Sequence, residues 1–159
     1  MTIFKSESIL ERVGNRSIPA QNRLIEEENA DHMTQAIVIT DVVTADAGEH
    51  HDKATAERAG QTESSRTVWE SAEGIRSGIW EVTPGAFSST RPEYHEMCQI
   101  VSGRATIEEE DGNTFEVGPG SLFVTPEGWT GRWTVHETLR KAWVVIPFAA
   151  LANPQRSEA

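Results

Sequence analysis

The residues best suited to chemistry lie in two short runs and one apolar strand. RPEYHE (91–96) holds Arg91, Tyr94 and Glu96, TPEGW (125–129) holds Glu127, and RKAWVVIP (140–147) offers Arg140 or Lys141. A carboxylate, a phenol and a guanidinium converging on one mouth would hold a small polar ligand. For catalysis, Glu96 would serve as general base or acid with its pKa raised by burial, while Tyr94 and Arg91 orient the substrate or stabilise charge. The competing reading has Glu96 paired with Arg140 or a backbone donor simply to meet its desolvation cost.

Side chains alternate across an extended strand, so Pro92, Tyr94 and Glu96 share one face and His95 takes the other unless a bulge at Pro92-Glu93 reverses it. Trp129, Gly131 and Trp133 likewise share a parity, and Trp133 is either core or the apolar wall of a ligand pocket. Cys98, the single cysteine, lies in the apolar run MCQIV and reads as a structural thiol; no internal disulfide or thiolate-rich zinc site can form within one chain. His50 and His51 fall on a polar stretch and read as exposed, as does His136.

The elements that must position these groups are read from turn signals. Strands are expected over 75–82, 96–102, 104–110, 114–117, 121–125, 130–135 and 139–147, separated by Pro84-Gly85, Gly103, the hairpin signal Asp111-Gly112-Asn113, Gly118-Pro119-Gly120 and Pro126-Glu127-Gly128. Connections this short leave no room for crossover helices, so the chain is expected to be all-β and antiparallel, a single barrel or jelly roll. Upstream, QAIVITDVV (35–43) reads as one further strand that needs a sheet edge, its own or a second subunit's. Residues 44–66 offer only alanine as an apolar residue and read as a polar linker or mobile loop. The expected organisation is an N-terminal extension over 1–65, with a short amphipathic segment around Ile9, Leu10 and Val13, a barrel over 66–149 and a tail over 150–159.

At 159 residues the chain suits one domain plus an appendage. A net charge of -11 and a pI near 4.9 argue against nucleic acid or an anionic membrane surface as partner. No apolar run approaches ~18 residues and no basic leader precedes an apolar core, so a cytoplasmic protein is expected.

The spacing of Glu96, six residues, Gly103, and of Gly120, five residues, Pro126, one residue, Gly128, resembles the two motifs of the cupin superfamily. GIWEVTPGAF (78–87), Tyr94-x-Glu96, the EDG hairpin, GPGSLFVTPEGWTGRW (118–133) and RKAWVVIP are similar, over about 66–147, to the subfamily of the ureidoglycine aminohydrolase cupin domain and the ethanolamine-utilisation cupin. The resemblance implies a double-stranded β-helix. It also implies a divalent metal ion held by two histidines and a glutamate of the first motif and a histidine of the second. Here those slots hold Thr90 and Pro92 (or Ser89 and Arg91), Glu96 and Gly131, so only Glu96 survives. In the aminohydrolase version of the site, Thr90, Pro92 and Glu96 replace a glutamate and two histidines, and Glu127 takes the slot of a glutamine.

The expectation is therefore a small single-domain cupin, without cofactor, that binds a small polar metabolite in the barrel mouth and forms a homodimer, with catalysis open. One rival is a metal-dependent enzyme acting on a small nitrogenous or carboxylated metabolite, with Glu96, His95 and Glu127 holding a divalent ion. Another is a non-catalytic accessory module docking on a partner enzyme.

Overall fold

The computed structural model describes residues 35–151. Apart from one terminal helical turn, α1 (Phe148–Leu151), the regular structure is β1 (His51–Asp52), β2 (Thr62–Glu70), β3 (Arg76–Val82), β4 (Gly85–Thr90), β5 (Tyr94–Glu109), β6 (Thr114–Val117), β7 (Leu122–Thr125) and β8 (Thr130–Pro147). Every pairing is antiparallel. This is the expected all-β architecture, a jelly-roll barrel. The segment around Ile9 to Val13 and the residues after 151 lie outside the described part.

Two long strands run through the whole barrel. β5 and β8 pair from Tyr94↔Pro147 to Glu109↔Gly131. The first half of β5 is flanked by β7 and the second by β6, while β8 is flanked first by β4 and then by β3. The pairs of strands expected over 96–102 and 104–110, and over 130–135 and 139–147, are therefore each one bent strand. The bend is a run of register shifts between Ile100 and Ala105. Inward positions on β5 change there from even (Glu96, Cys98, Ile100) to odd (Ala105, Ile107), as an inserted residue requires. Gly103 sits in the bend at φ 80°, and a Cβ there would lie 2.2 Å from the Thr138 carbonyl oxygen. Gly103 thus marks a corner inside a strand rather than its end.

The core fills the barrel with residues contributed mainly by these two strands, and Trp133, 1% exposed, is at its centre. Its ring stacks on Phe87 at 5.8 Å and meets Trp80 and Phe123 edge-on, the geometries that aromatic quadrupoles favour.

Two upstream expectations are corrected. Residues 35–43 form no strand. Ile37, Ile39 and Val42 instead line a groove with Met97, Leu122 and Val144. Residues 44–66 are no mobile linker: they carry β1 and the start of β2, and Ala47, Gln61 and Ser64 are buried. An apolar count misses this because the segment is held by polar anchors. Arg140 donates to the carbonyls of Val42 and Ala45 and to Glu81, whose other oxygen accepts from or pairs with His50. Thr62 N–H donates to the Thr83 hydroxyl, and Lys53 N–H to the Gln61 carbonyl.

Candidate functional site: the barrel cavity

A cavity of about 300 Å³ opens into the barrel between β2, β3, β4, β5 and β8, roughly the liquid volume of ten water molecules. Strand parity decides what faces it. On β5, Tyr94 and Glu96 point inward with Cys98; on β8, Trp133, Lys141, Trp143 and Val145 do so; β3 adds Trp80 and β4 adds Phe87 and Ser89.

Glu96, 8% exposed, is the hub. Its Oε1 accepts from Lys141 Nζ at 2.5 Å and from Arg91 Nη2 at 3.0 Å. Burial alone would push this carboxyl up, but the charges of Lys141 and Arg91 and their hydrogen bonds outweigh burial and leave its pKa below the ordinary 4.5. Glu96 is therefore ionised at neutral pH, which corrects the expected raised pKa and the general-acid role that depends on it. Arg91, equally buried, comes from the turn between β4 and β5, whose backbone is tied to the β7–β8 turn through Arg91 N–H to the Trp129 carbonyl and Gly128 N–H to the Arg91 carbonyl. Its guanidinium lies against Tyr94 and Trp129 and donates to Thr125, Ser89, the Thr90 carbonyl and Glu96. A second ion pair stands across the cavity, where Glu63 Oε2 accepts from Lys53 Nζ and Trp80 Nε1, both at 2.8 Å. Burial raises the Glu63 carboxyl, and these two donors with the Lys53 charge bring it below its ordinary value.

Of the residues singled out from sequence, Arg91, Tyr94, Glu96 and Trp133 meet at this cavity. Arg140 does not: it is on the opposite face of β8, bound to Glu81, and Lys141 takes the place expected for it. Glu127 is exposed in the β7–β8 turn, and its N–H donates to His95 Nδ1 on the outer side of the barrel. His95 thus keeps the outward parity expected of an extended strand, and Glu96, His95 and Glu127 do not converge. Cys98 is buried, and burial raises its thiol pKa, which suits a structural rather than a nucleophilic role. Sequence reasoning missed Lys53, Arg76, Trp80 and Glu63. Only Trp80 carried a signal, through its alternation with Val82 in GIWEV.

The cavity does not fit the divalent ion that the fold suggests. Its one carboxylate at a motif position already accepts from two cationic groups through one oxygen. Thr90 and Pro92 are exposed, and a Cβ at Gly131 would lie 2.4 Å from the Trp129 ring, so no imidazole could occupy that slot without displacing the indole. Among the described residues, no three histidine, cysteine, aspartate or glutamate side chains are grouped to hold a metal ion.

A barrel of this topology, with Glu96, Gly103, Gly120, Pro126 and Gly128 at its corners and mouth, has the fold of the cupin barrels. Residues 69–143 match the EutQ-like cupin domain. Among solved structures, the EutQ protein of Clostridium difficile aligns at 19% identity and TM-score 0.50, covering 56% of this chain and 71% of that one. A DUF861-family protein of unknown function from Pseudomonas syringae pv. tomato aligns at 23% and 0.59, covering 71% and 49%. Ectoine synthase from P. lautus aligns at 14% and 0.52, covering 70% and 78%. At these identities the likeness is one of fold, and such different proteins on one barrel leave function to the site itself. No curated protein matches the sequence. Among the described residues no helix is long and apolar enough to cross a membrane.

Proposed function

We propose that this chain is a ligand-binding cupin that takes a small polar metabolite into the barrel cavity beside Glu96 without a metal ion. The observation that carries the reading is the Arg91–Glu96–Lys141 cluster in the wall of a 300 Å³ cavity. Burying three charged groups in a small barrel is costly unless they are paired and hydrogen-bonded, and here the pairing leaves the cluster facing an open space rather than sealed in the core. Ionised Glu96 offers a ligand an acceptor; it is not a proton donor at neutral pH.

Kinship to the ethanolamine-utilisation cupins is supported by the EutQ-like match, while kinship to the ureidoglycine aminohydrolase cupins rests on the sequence motifs alone. The hydrolase's ligand set is not kept at Thr90, Pro92 and Glu96, so we do not extend its reaction to this chain. We further propose a homodimer, supported by apolar side chains left exposed on the outer sheet, and a cytoplasmic location, in keeping with a single unpaired thiol.

A thermal-shift screen of small amines, ureido compounds and carboxylates tests the site. A binder is expected whose shift falls at least about threefold in Glu96→Gln; a binder indifferent to that change would put the pocket elsewhere. Metal analysis of protein purified without a histidine tag is expected to find far less than one transition-metal ion per subunit. A stoichiometric ion would defeat the metal-free reading.

A further inference from the structure

The four cations lining the cavity, Lys53, Arg76, Arg91 and Lys141, outnumber the two carboxylates, Glu63 and Glu96, in a protein whose net charge is -11. Each carboxylate already has its counter-ion: Lys53 neutralises Glu63, and Lys141 with Arg91 over-neutralises Glu96. Arg76, on the exposed end of β3 at the cavity rim, has no ion-pair or hydrogen-bond partner for its side chain among the described residues. Arg91 spends four of its five N–H donors on Thr125, Ser89, Thr90 and Glu96. The Trp133 indole N–H is buried in the cavity wall without an acceptor among the described residues. Between these donors stand the rings of Trp80, Phe87, Trp133 and Trp143, with the Lys53 ammonium 4.3 Å from the Phe87 ring and the Lys141 ammonium 4.8 Å from that of Trp80.

Resting on the reading of this cavity as the ligand site, we propose that its ligand is a small organic carboxylate with a flat apolar body, whose charged end is received by Arg76. The surplus of donors over acceptors selects against amines. An amine would meet the free oxygens of Glu63 and Glu96 only against the field of four nearby cations. A carboxylate instead finds a planar guanidinium fork, the partner whose geometry it matches. The aromatic rings of the lining give the ligand's flat body surfaces to pack against while its charged end stays at the rim. The overall negative charge does not oppose this, because exposed charges beyond about 8 Å are largely screened at physiological salt.

The test titrates wild type, Arg76→Gln and Trp133→Phe with benzoate, its neutral counterpart benzamide and the cationic benzylamine, following indole fluorescence and heat. Benzoate is expected to bind about tenfold or more tightly than benzamide. Arg76→Gln should abolish that preference, bringing the affinity for benzoate down to that for benzamide. Absence of benzoate binding at millimolar concentration overturns the proposal, as does a preference for benzylamine or one that survives Arg76→Gln. If benzamide or benzylamine binds best and Trp133→Phe weakens it, the carboxylate class falls while the cavity stands as a site. If benzoate binds with no response from the indoles or from Trp133→Phe, the cavity reading falls with it.

Discussion

Glu96 couples the stability of the barrel to the chemistry of its cavity, because the carboxylate that lines the ligand space also holds Lys141 and Arg91. Removing its charge leaves two cations buried against each other, and breaking a buried pair in this way costs about 3–5 kcal/mol. Glu96→Gln should therefore lower stability by about 3 kcal/mol in urea unfolding, and adding Lys141→Met should restore part of it, since the two sites are coupled. The sign with pH follows from the lowered pKa. The contribution of Glu96 is fully present above its unfolded value near 4.5 and is lost as pH falls through the folded value below that. Glu63 and Glu81 are lowered too and remain in the variant, so the quantity to follow is the gap between wild type and Glu96→Gln. That gap should be constant from pH 7 to pH 5 and shrink toward pH 3; a gap that does not shrink contradicts the ion cluster. At this scale the sequence was legible where a motif or a parity applied. Motif spacing picked out Glu96, and alternation sent His95 outward and Trp133 inward. The choice between Arg140 and Lys141 was not legible, since alternate positions of RKAWVVIP are apolar on both faces and pattern alone cannot say which is the interior.

At the level of elements, the corner in β5 carries the architecture. Gly103 and Gly112 have similar positive φ, 80° and 86°, but different surroundings: a Cβ at Gly103 would lie within 2.7 Å of Leu139 Cα as well as close to the Thr138 carbonyl, whereas nothing lies within 4 Å of one at Gly112. Gly112→Ala should then cost only the conformational penalty of about 1–2 kcal/mol. Gly103→Ala must also push two backbones apart and is expected to cost more than about 3 kcal/mol or to prevent folding. Circular dichroism and urea midpoints of the two variants compare them directly, and equal losses would mean that the corner is not a close approach. The turn residues revealed nearly every strand from residue 75 onward, because glycine and proline punctuate chains locally. They could not distinguish a bend within a strand from its end, which is why Gly103 and the run 136–138 read as boundaries. Residues 44–66 were illegible for another reason: their order comes from Ala45, His50 and Thr62 meeting Arg140, Glu81 and Thr83 far along the chain, and long-range polar anchors leave no local pattern.

The molecule as a whole presents an outer face that its charge does not explain. Met97 on β5 lies opposite Val124 on β7 and Val144 on β8, and Leu122 follows two residues before Val124 on the same face. Leu122 is 67% exposed and Val124 53%, and Val38, beside the residues that run along the neighbouring groove, is 73% exposed. Clustered apolar residues of this kind on an otherwise acidic protein mark a surface meant to be covered, and a two-fold pairing would cover it with the same face of a second chain. The cavity lies on the inner side of these strands, because Met97 and Val144 alternate with Glu96 and Val145, so the two surfaces can be separated by substitution. Light scattering at micromolar concentration should give wild type twice the 17.6 kDa chain mass. Val124→Lys places a charge at the centre of the face and should shift the mass toward that of one chain, because an unpaired charge cannot be buried across a dimer axis without a large desolvation cost. Ligand binding should survive in the monomeric variant, since no cavity residue is touched. A monomeric wild type would remove the dimer, and a Val124→Lys dimer would move its interface to another part of the barrel.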